Sequence, residues 1–171
     1  MDYTWHYDSP LGGITLASDG TALVGLWFDG QKHFAATLGM RHEKRMLPVF
    51  HDTGKWLDNY FNGKAPDFTP TLNLRASDFR KSVLEILLGI PWGNTMTYGE
   101  IAAIIAHKRG LDIMSSQAVG GAVGHNPISI IIPCHRVVGI NGSLTGYAGG
   151  LDRKQKLLEL ETRQPSAGNR E

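Results

Sequence analysis

Apolar and polar positions divide the chain into two styles of patterning. Over the first 45 residues, short apolar runs such as Ile14-Thr15-Leu16-Ala17 and Ala22-Leu23-Val24-Gly25-Leu26-Trp27-Phe28 are punctuated by Gly12-Gly13, Asp19-Gly20 and Asp29-Gly30. Short strand-like runs between turn signals predict a small antiparallel sheet. Residues 47–62 then place Phe50, Trp56, Leu57, Tyr60 and Phe61 at helical spacing, closed by Asn62-Gly63. Lys64 to Leu74, with Pro66 and Pro70, reads as a linker, so residues 1–74 and 75–171 are expected to form two domains.

From Ser77 the period is helical. Phe79, Val83, Ile86, Leu87 and Ile90 fall on one face until Gly89 and Pro91 stop the helix. Thr97-Tyr98-Gly99-Glu100 is a capping box that opens a short helix carrying Ile101, Ile104 and Ile105. A loop from His107 to about Met114 leads to a second short helix, capped by Ser115 or Ser116 and ended by Asn126-Pro127. On that helix Gln117, Gly120, Gly121 and Gly124 form a smooth face opposite Val119, Ala122 and Val123. Each glycine costs about 1 kcal/mol relative to alanine in a helix, so close approach by something is expected. Another helix packed tightly, or DNA met by a helix-turn-helix, would account for it equally well. Val137-Val138-Gly139-Ile140 and Ser143-Leu144-Thr145 flank Asn141-Gly142, a hairpin signal. A final helix from about Asp152 to Glu161 puts Leu157, Leu160 and Glu161 on one face, aiming a carboxylate inward.

Composition adds limits rather than direction. A chain of 171 residues with 42% hydrophobic and 19% charged residues can bury a real core, and neither disorder nor a fibrous class is suggested. The net charge of +1 means that any nucleic-acid contact must rest on local geometry, with a modest salt-sensitive component. No apolar run is long enough to span a membrane, and Met1-Asp2-Tyr3-Thr4 does not open a signal peptide, so a cytoplasmic protein with no membrane partner is expected.

The one cysteine is the candidate for chemistry. The apolar run Ile128 to Ile132 leads into Pro133-Cys134-His135-Arg136-Val137. A thiol reacts as thiolate, and an adjacent imidazole is a common way to produce one. In an extended strand Cys134 and His135 would face opposite ways, so contact requires a turn or a bridging water. If Glu161 accepts from one ring nitrogen of His135, the other is fixed as acceptor, the logic of a Cys-His-carboxylate nucleophile. His107, His125 and the N-terminal histidines have no partner at ligand spacing, so no metal is expected.

Pro133-Cys134-His135-Arg136-Val137, preceded by Gly124-His125-Asn126-Pro127-Ile128 and followed by Gly146-Tyr147-Ala148-Gly149-Gly150, resembles the signature of the O6-alkylguanine-DNA alkyltransferases, the methylated-DNA-protein-cysteine methyltransferases. The similarity is dense over residues 77–162 and loose before them. It implies an α+β fold: a small N-terminal sheet with a helix, an RNase H-like arrangement being one form open to it, and a mainly helical C-terminal domain with a helix-turn-helix. It implies that Cys134 attacks the alkyl carbon on guanine O6, that His135 takes the thiol proton through a water, and that Glu161 orients His135. Tyr98 would aid the leaving base, Asn126 would join the helix-turn-helix to the active-site segment, and Tyr147, Ala148 and Gly149 would line the base pocket. Ser115, Ser116, Gln117, Gly120, Gly121, Gly124 and Arg136 would face double-stranded DNA containing alkylated bases. A monomer acting once, without cofactor, is implied. Better-known members carry arginine where this chain has Gln117, which puts its role in opening the duplex in question. A Cys-His hydrolase, a non-catalytic recognition protein for alkylated DNA and a helix-turn-helix transcription factor are the rival readings.

Overall fold

The computed structural model describes residues 1–163; residues 164–171, the end of the expected C-terminal domain, lie outside them. Three strands follow the early apolar runs: β1 (Asp2–Ser9), β2 (Gly12–Ser18) and β3 (Leu23–Phe28), each antiparallel to the next. Gly25 sits where the Trp27 indole lies across the strand, since a Cβ there would fall 2.0 Å from the ring. A fourth short strand, β4 (His42–Lys44), corrects the expectation of a purely antiparallel sheet. It pairs parallel to β1, giving the order β3-β2-β1-β4. Residues 29–41 cross the sheet from the β3 edge to the β1 edge, and a chain that has crossed returns in the direction of β1.

Helix α1 (Pro48–Phe61) starts with a proline in its first turn, where the missing N–H costs nothing, and buries Val49, Phe50, Thr53, Trp56, Leu57 and Tyr60. The stretch read as a linker is not free. Leu23 N–H donates to Thr71 O at 2.8 Å and Asn73 N–H to Leu23 O at 2.9 Å, so the segment extends the outer edge of β3. Further along that edge, Leu26 N–H donates to Pro127 O and Ser129 N–H to Leu26 O, both at 2.9 Å. One strand of the N-terminal sheet therefore anchors the segment that leads to Cys134. The two regions share a single apolar core running from Ile14 through Leu57 and Leu87 to Leu157.

The C-terminal region is mainly helical. Helix α2 (Asp78–Leu88) is capped by Ser77, and strand β5 (Met96–Thr97) leads into α3 (Tyr98–Arg109), where both hydrogen bonds of the Thr97–Glu100 capping box form. Helix α3 continues past His107, where a loop was expected. Lys108 and Arg109 suit the negative end of a helix, and Gly110, at φ 66°, supplies the left-handed closing residue. Helix α4 (Ser116–Gly124) follows, with Ser115 as its cap. The expected Asn141-Gly142 hairpin forms only as a turn: both residues have positive φ, 60° and 76°, and Gly139 N–H donates to Ser143 O at 2.8 Å. Beyond that one bond its flanks form no ladder with each other. Strand β6 (Val137–Val138) instead runs parallel to β5. Helix α5 (Leu151–Thr162) closes the fold, and its buried face is Lys154, Leu157, Leu160 and Glu161. No helix among the described residues is long and apolar enough to cross a membrane.

Candidate active site

The apolar run before Cys134 is buried on all sides rather than laid on a sheet. After its brief pairing with β3 it turns back on itself: Ile131 N–H donates to Ser129 O, Ile132 N–H to Ile128 O, and Ile130 takes the left-handed conformation at φ 68°. The Asn126 side chain holds this knot, donating to Ile132 O at 2.8 Å and accepting from Ile128 N–H at 3.0 Å. Asn126 thus ties the end of α4 to the cysteine segment. Cys134, His135 and Arg136 themselves form a single 3-10 turn. That turn fans out three consecutive side chains that an extended strand would have sent to alternate faces.

Cys134 lies in the wall of a cleft, while His135 and Arg136 point into the protein toward Glu161. Glu161 Oε2 lies 2.6 Å from His135 Nε2, and the Arg136 guanidinium reaches both carboxylate oxygens, Nε to Oε1 at 2.7 Å and Nη2 to Oε2 at 3.1 Å. Burial would raise the Glu161 carboxyl, but its hydrogen bonds to His135 and Arg136 and their charge hold it down at about 2. His135 is pushed toward its neutral form, by burial first and by the nearby Arg136 and Lys154, against the pull of Glu161. A neutral ring that donates from Nε2 has its lone pair on Nδ1. That nitrogen is buried and has no hydrogen-bond partner.

The thiol at rest is not a thiolate. Burial pushes Cys134 up to about 11, against lowering by the Asn126 amide and the Lys154 charge. Lys154 is itself fully buried, and its ammonium donates to Val137 O at 2.6 Å, Thr145 O at 3.2 Å and Gly146 O at 3.3 Å. Carbonyls from both sides of the Asn141-Gly142 turn thus point at one cation.

The cleft beside Cys134 has a volume of about 480 Å³. Tyr98, Tyr147 and Ala148 line it, as do Gly120, Gly121 and Gly124 of α4. Gly149 does not line it; it lies buried behind, where a Cβ would strike the Tyr147 ring at 2.7 Å. Tyr98 accepts from Thr145 Oγ1 at 3.2 Å, and its ring passes 3.9 Å from where a Gly120 Cβ would stand. Among the described residues nothing comes within 4 Å of where a Cβ at Gly121 or Gly124 would stand, so these two glycines are not packed against another helix there. Gln117 and Ser116 are exposed, one turn before the glycines, and Ser115 is occupied as the cap, accepting from Ala118 N–H at 3.2 Å.

Arg136 departs from the expectation that it faces DNA. Its guanidinium is committed to Glu161 and to Ile90 O at 2.6 Å, and the residue is only 8% exposed. Four contributors went unread in the sequence. Lys154 sits at i, i+3 and i+7 with Leu157 and Glu161, so the inward face itself signalled it. Tyr60 was visible only as a core position, yet its hydroxyl donates to Glu161 Oε2 at 2.6 Å. Lys32 and His33 border the cleft from the N-terminal region, with His33 stacked on His125 at 3.9 Å between ring centroids, and no local pattern announced them. Among the described residues no three His, Cys, Asp or Glu side chains gather as a metal site.

Residues 78–163 match the family model described as 6-O-methylguanine DNA methyltransferase, DNA binding domain, and residues 3–75 match its ribonuclease-like domain. The chain belongs to the 6-O-methylguanine DNA methyltransferase family. A methylated-DNA–protein-cysteine methyltransferase of Mycolicibacterium paratuberculosis is 43% identical over 160 residues, 94% of this chain and 92% of the relative. The crystal structure of Mycobacterium tuberculosis O6-methylguanine methyltransferase superposes with a TM-score of 0.81 at 40% identity, covering 99% of this chain and 98% of that one. The structure of the M. tuberculosis OGT in complex with DNA gives 0.78 at 42% identity, covering 94% and 92%. The resemblance carried by the cysteine motif and its flanks is thus a family relationship, and the loosely matching first 75 residues belong to it as well.

Proposed function

We propose that this protein repairs DNA by direct reversal, moving the alkyl group of O6-alkylguanine in double-stranded DNA onto Cys134. The observation that carries the reading is His135. One ring nitrogen is fixed on Glu161, and the other is a buried acceptor without a partner, on the residue next to a cleft thiol. A thiol held near 11 needs that base, and a bridging water on Nδ1 can relay the proton.

In the proposed step the Sγ–carbon bond forms as the carbon–O6 bond breaks. The bonding electron pair leaves with guanine, which takes up a proton from water, and the thiol proton passes to His135 and from there back to solvent, so that one proton is lost and one gained. Tyr98, which lines the cleft wall, would assist the departing base. O6 of a stacked base cannot reach a buried sulfur, so the nucleotide must be extruded into the cleft. The open glycine face of α4 beside the cleft suits close approach of the DNA backbone, with Ser116 and Gln117 at its leading end. Tyr147 and Ala148 would line the base and Gly149 would back it. The substrate supplies the alkyl group, so no cofactor enters, and the thioether product is not hydrolysed, so each molecule acts once. An unpaired thiol suits the reducing cytoplasm.

The test is transfer of label from DNA containing O6-[methyl-³H]methylguanine. Expected is transfer that stops near one equivalent and is abolished in Cys134→Ala. Sustained turnover would mean a hydrolase, and tight binding of methylated DNA without transfer to Cys134 would mean a recognition protein; either overturns the proposal.

A further inference from the structure

Tyr60 lies 75 residues before His135 and 101 before Glu161, in the region that carries no other part of the triad. Its hydroxyl nevertheless meets the carboxylate oxygen that receives the imidazole: Tyr60 Oη and His135 Nε2 are each 2.6 Å from Glu161 Oε2 and 3.4 Å from one another. The ring has no freedom to place that hydroxyl elsewhere. Trp56 stacks on it at 5.4 Å, and Phe61 and Trp92 meet it edge-on at 5.3 and 5.2 Å. Packing alone would be served by phenylalanine, which buries no polar atom. Burial and the adjacent Glu161 charge keep the hydroxyl protonated far above the usual tyrosine range, so it is a donor at every working pH.

We propose that Tyr60 is a positioning residue for the alkyl-transfer site, by which the N-terminal region sets the basicity of His135. A donor on Oε2 fixes the carboxylate's orientation and draws negative charge off the oxygen that faces the imidazole. Remove it, and Oε2 holds the His135 proton more tightly. The groups facing His135 are Glu161 and Lys154 from α5 and Arg136 from its own turn, with Tyr147 facing Tyr60 across the site, and a change at Tyr60 leaves all of them in place. The imidazolium then persists to higher pH, and His135 becomes available as a base later in a titration.

The proposal rests on the reading of Cys134 as the nucleophile, but its test does not require DNA. Cys134 is the only cysteine, so iodoacetamide reports its reactivity alone. In Tyr60→Phe the acid limb of the rate of alkylation against pH is expected to move up by about half a unit or more. Replacing Tyr60 by 3-fluorotyrosine, which keeps the shape and donates more strongly, should move it down. Limbs that stay put in both variants, or that move in the same direction, overturn the proposal; a purely structural hydroxyl would change unfolding in urea without moving the limb. If Tyr60→Phe does not fold, the fluorotyrosine protein decides alone, a limb that does not move down overturning the proposal. Failure of label transfer from DNA by the wild-type protein would instead strike the alkyl-transfer reading.

Discussion

Arg136→Met separates an internal role for this arginine from a role on DNA. The guanidinium is 8% exposed and makes three hydrogen bonds, two to Glu161 and one to Ile90 O. Methionine fills much of the same space but leaves the carboxylate buried without its cation and the Ile90 carbonyl without a donor. Breaking a buried pair from one side costs about 3 to 5 kcal/mol, and that loss is expected in urea unfolding at pH 7. The pH dependence sharpens it. In the wild-type protein Glu161 falls from 4.5 to about 2 on folding, which contributes about 3 kcal/mol above pH 4.5, lost as pH falls from there toward 2. Without Arg136 the folded carboxyl titrates nearer 4.5, so this acid-sensitive part shrinks and the two proteins converge in stability at low pH. Binding to duplex DNA, measured on folded protein at several salt concentrations, should keep its salt slope. A phosphate contact would instead take about one unit from that slope. A variant as stable as wild type with a shallower slope would refute the internal assignment.

Two further predictions address the DNA face. Gln117→Arg should speed transfer from duplex DNA while leaving reaction with free O6-benzylguanine unchanged; equal effects on both substrates would remove Gln117 from strand opening. Gly121→Ala should raise stability by about 1 kcal/mol in urea, because a Cβ there meets nothing, while weakening duplex binding in a fluorescence titration. A loss of stability would show that the glycine is required by the fold itself.

Most helices were legible because each carries its own boundary chemistry: Ser77, Thr97 with Glu100, Ser115, and Asn62-Gly63 all stand where the helices begin or end. The inward turn of Glu161 was legible from periodicity alone. What failed was everything decided at a distance. Ile128 to Ile132 looks like a strand in isolation, but Asn126 and the edge of β3 hold it as a knot. Residues 143–145 look like half of a hairpin, but the Thr145 and Gly146 carbonyls accept from Lys154. Arg136 looks like a surface cation because its partner is 25 residues away, and Tyr60 like an ordinary core tyrosine because its partner is 101 residues away.

The raised ionisation of Cys134 bears on how long an unused molecule lasts. Under the proposed reaction each molecule has one opportunity, and each encounter with peroxide, disulfide or a stray electrophile competes for it. Those reagents attack thiolate, and burial, by pushing the thiol up to about 11, keeps the thiolate scarce at pH 7. The same burial that makes the resting sulfur a poor nucleophile is then a form of storage: the reagent stays unspent until an alkylated base occupies the cleft.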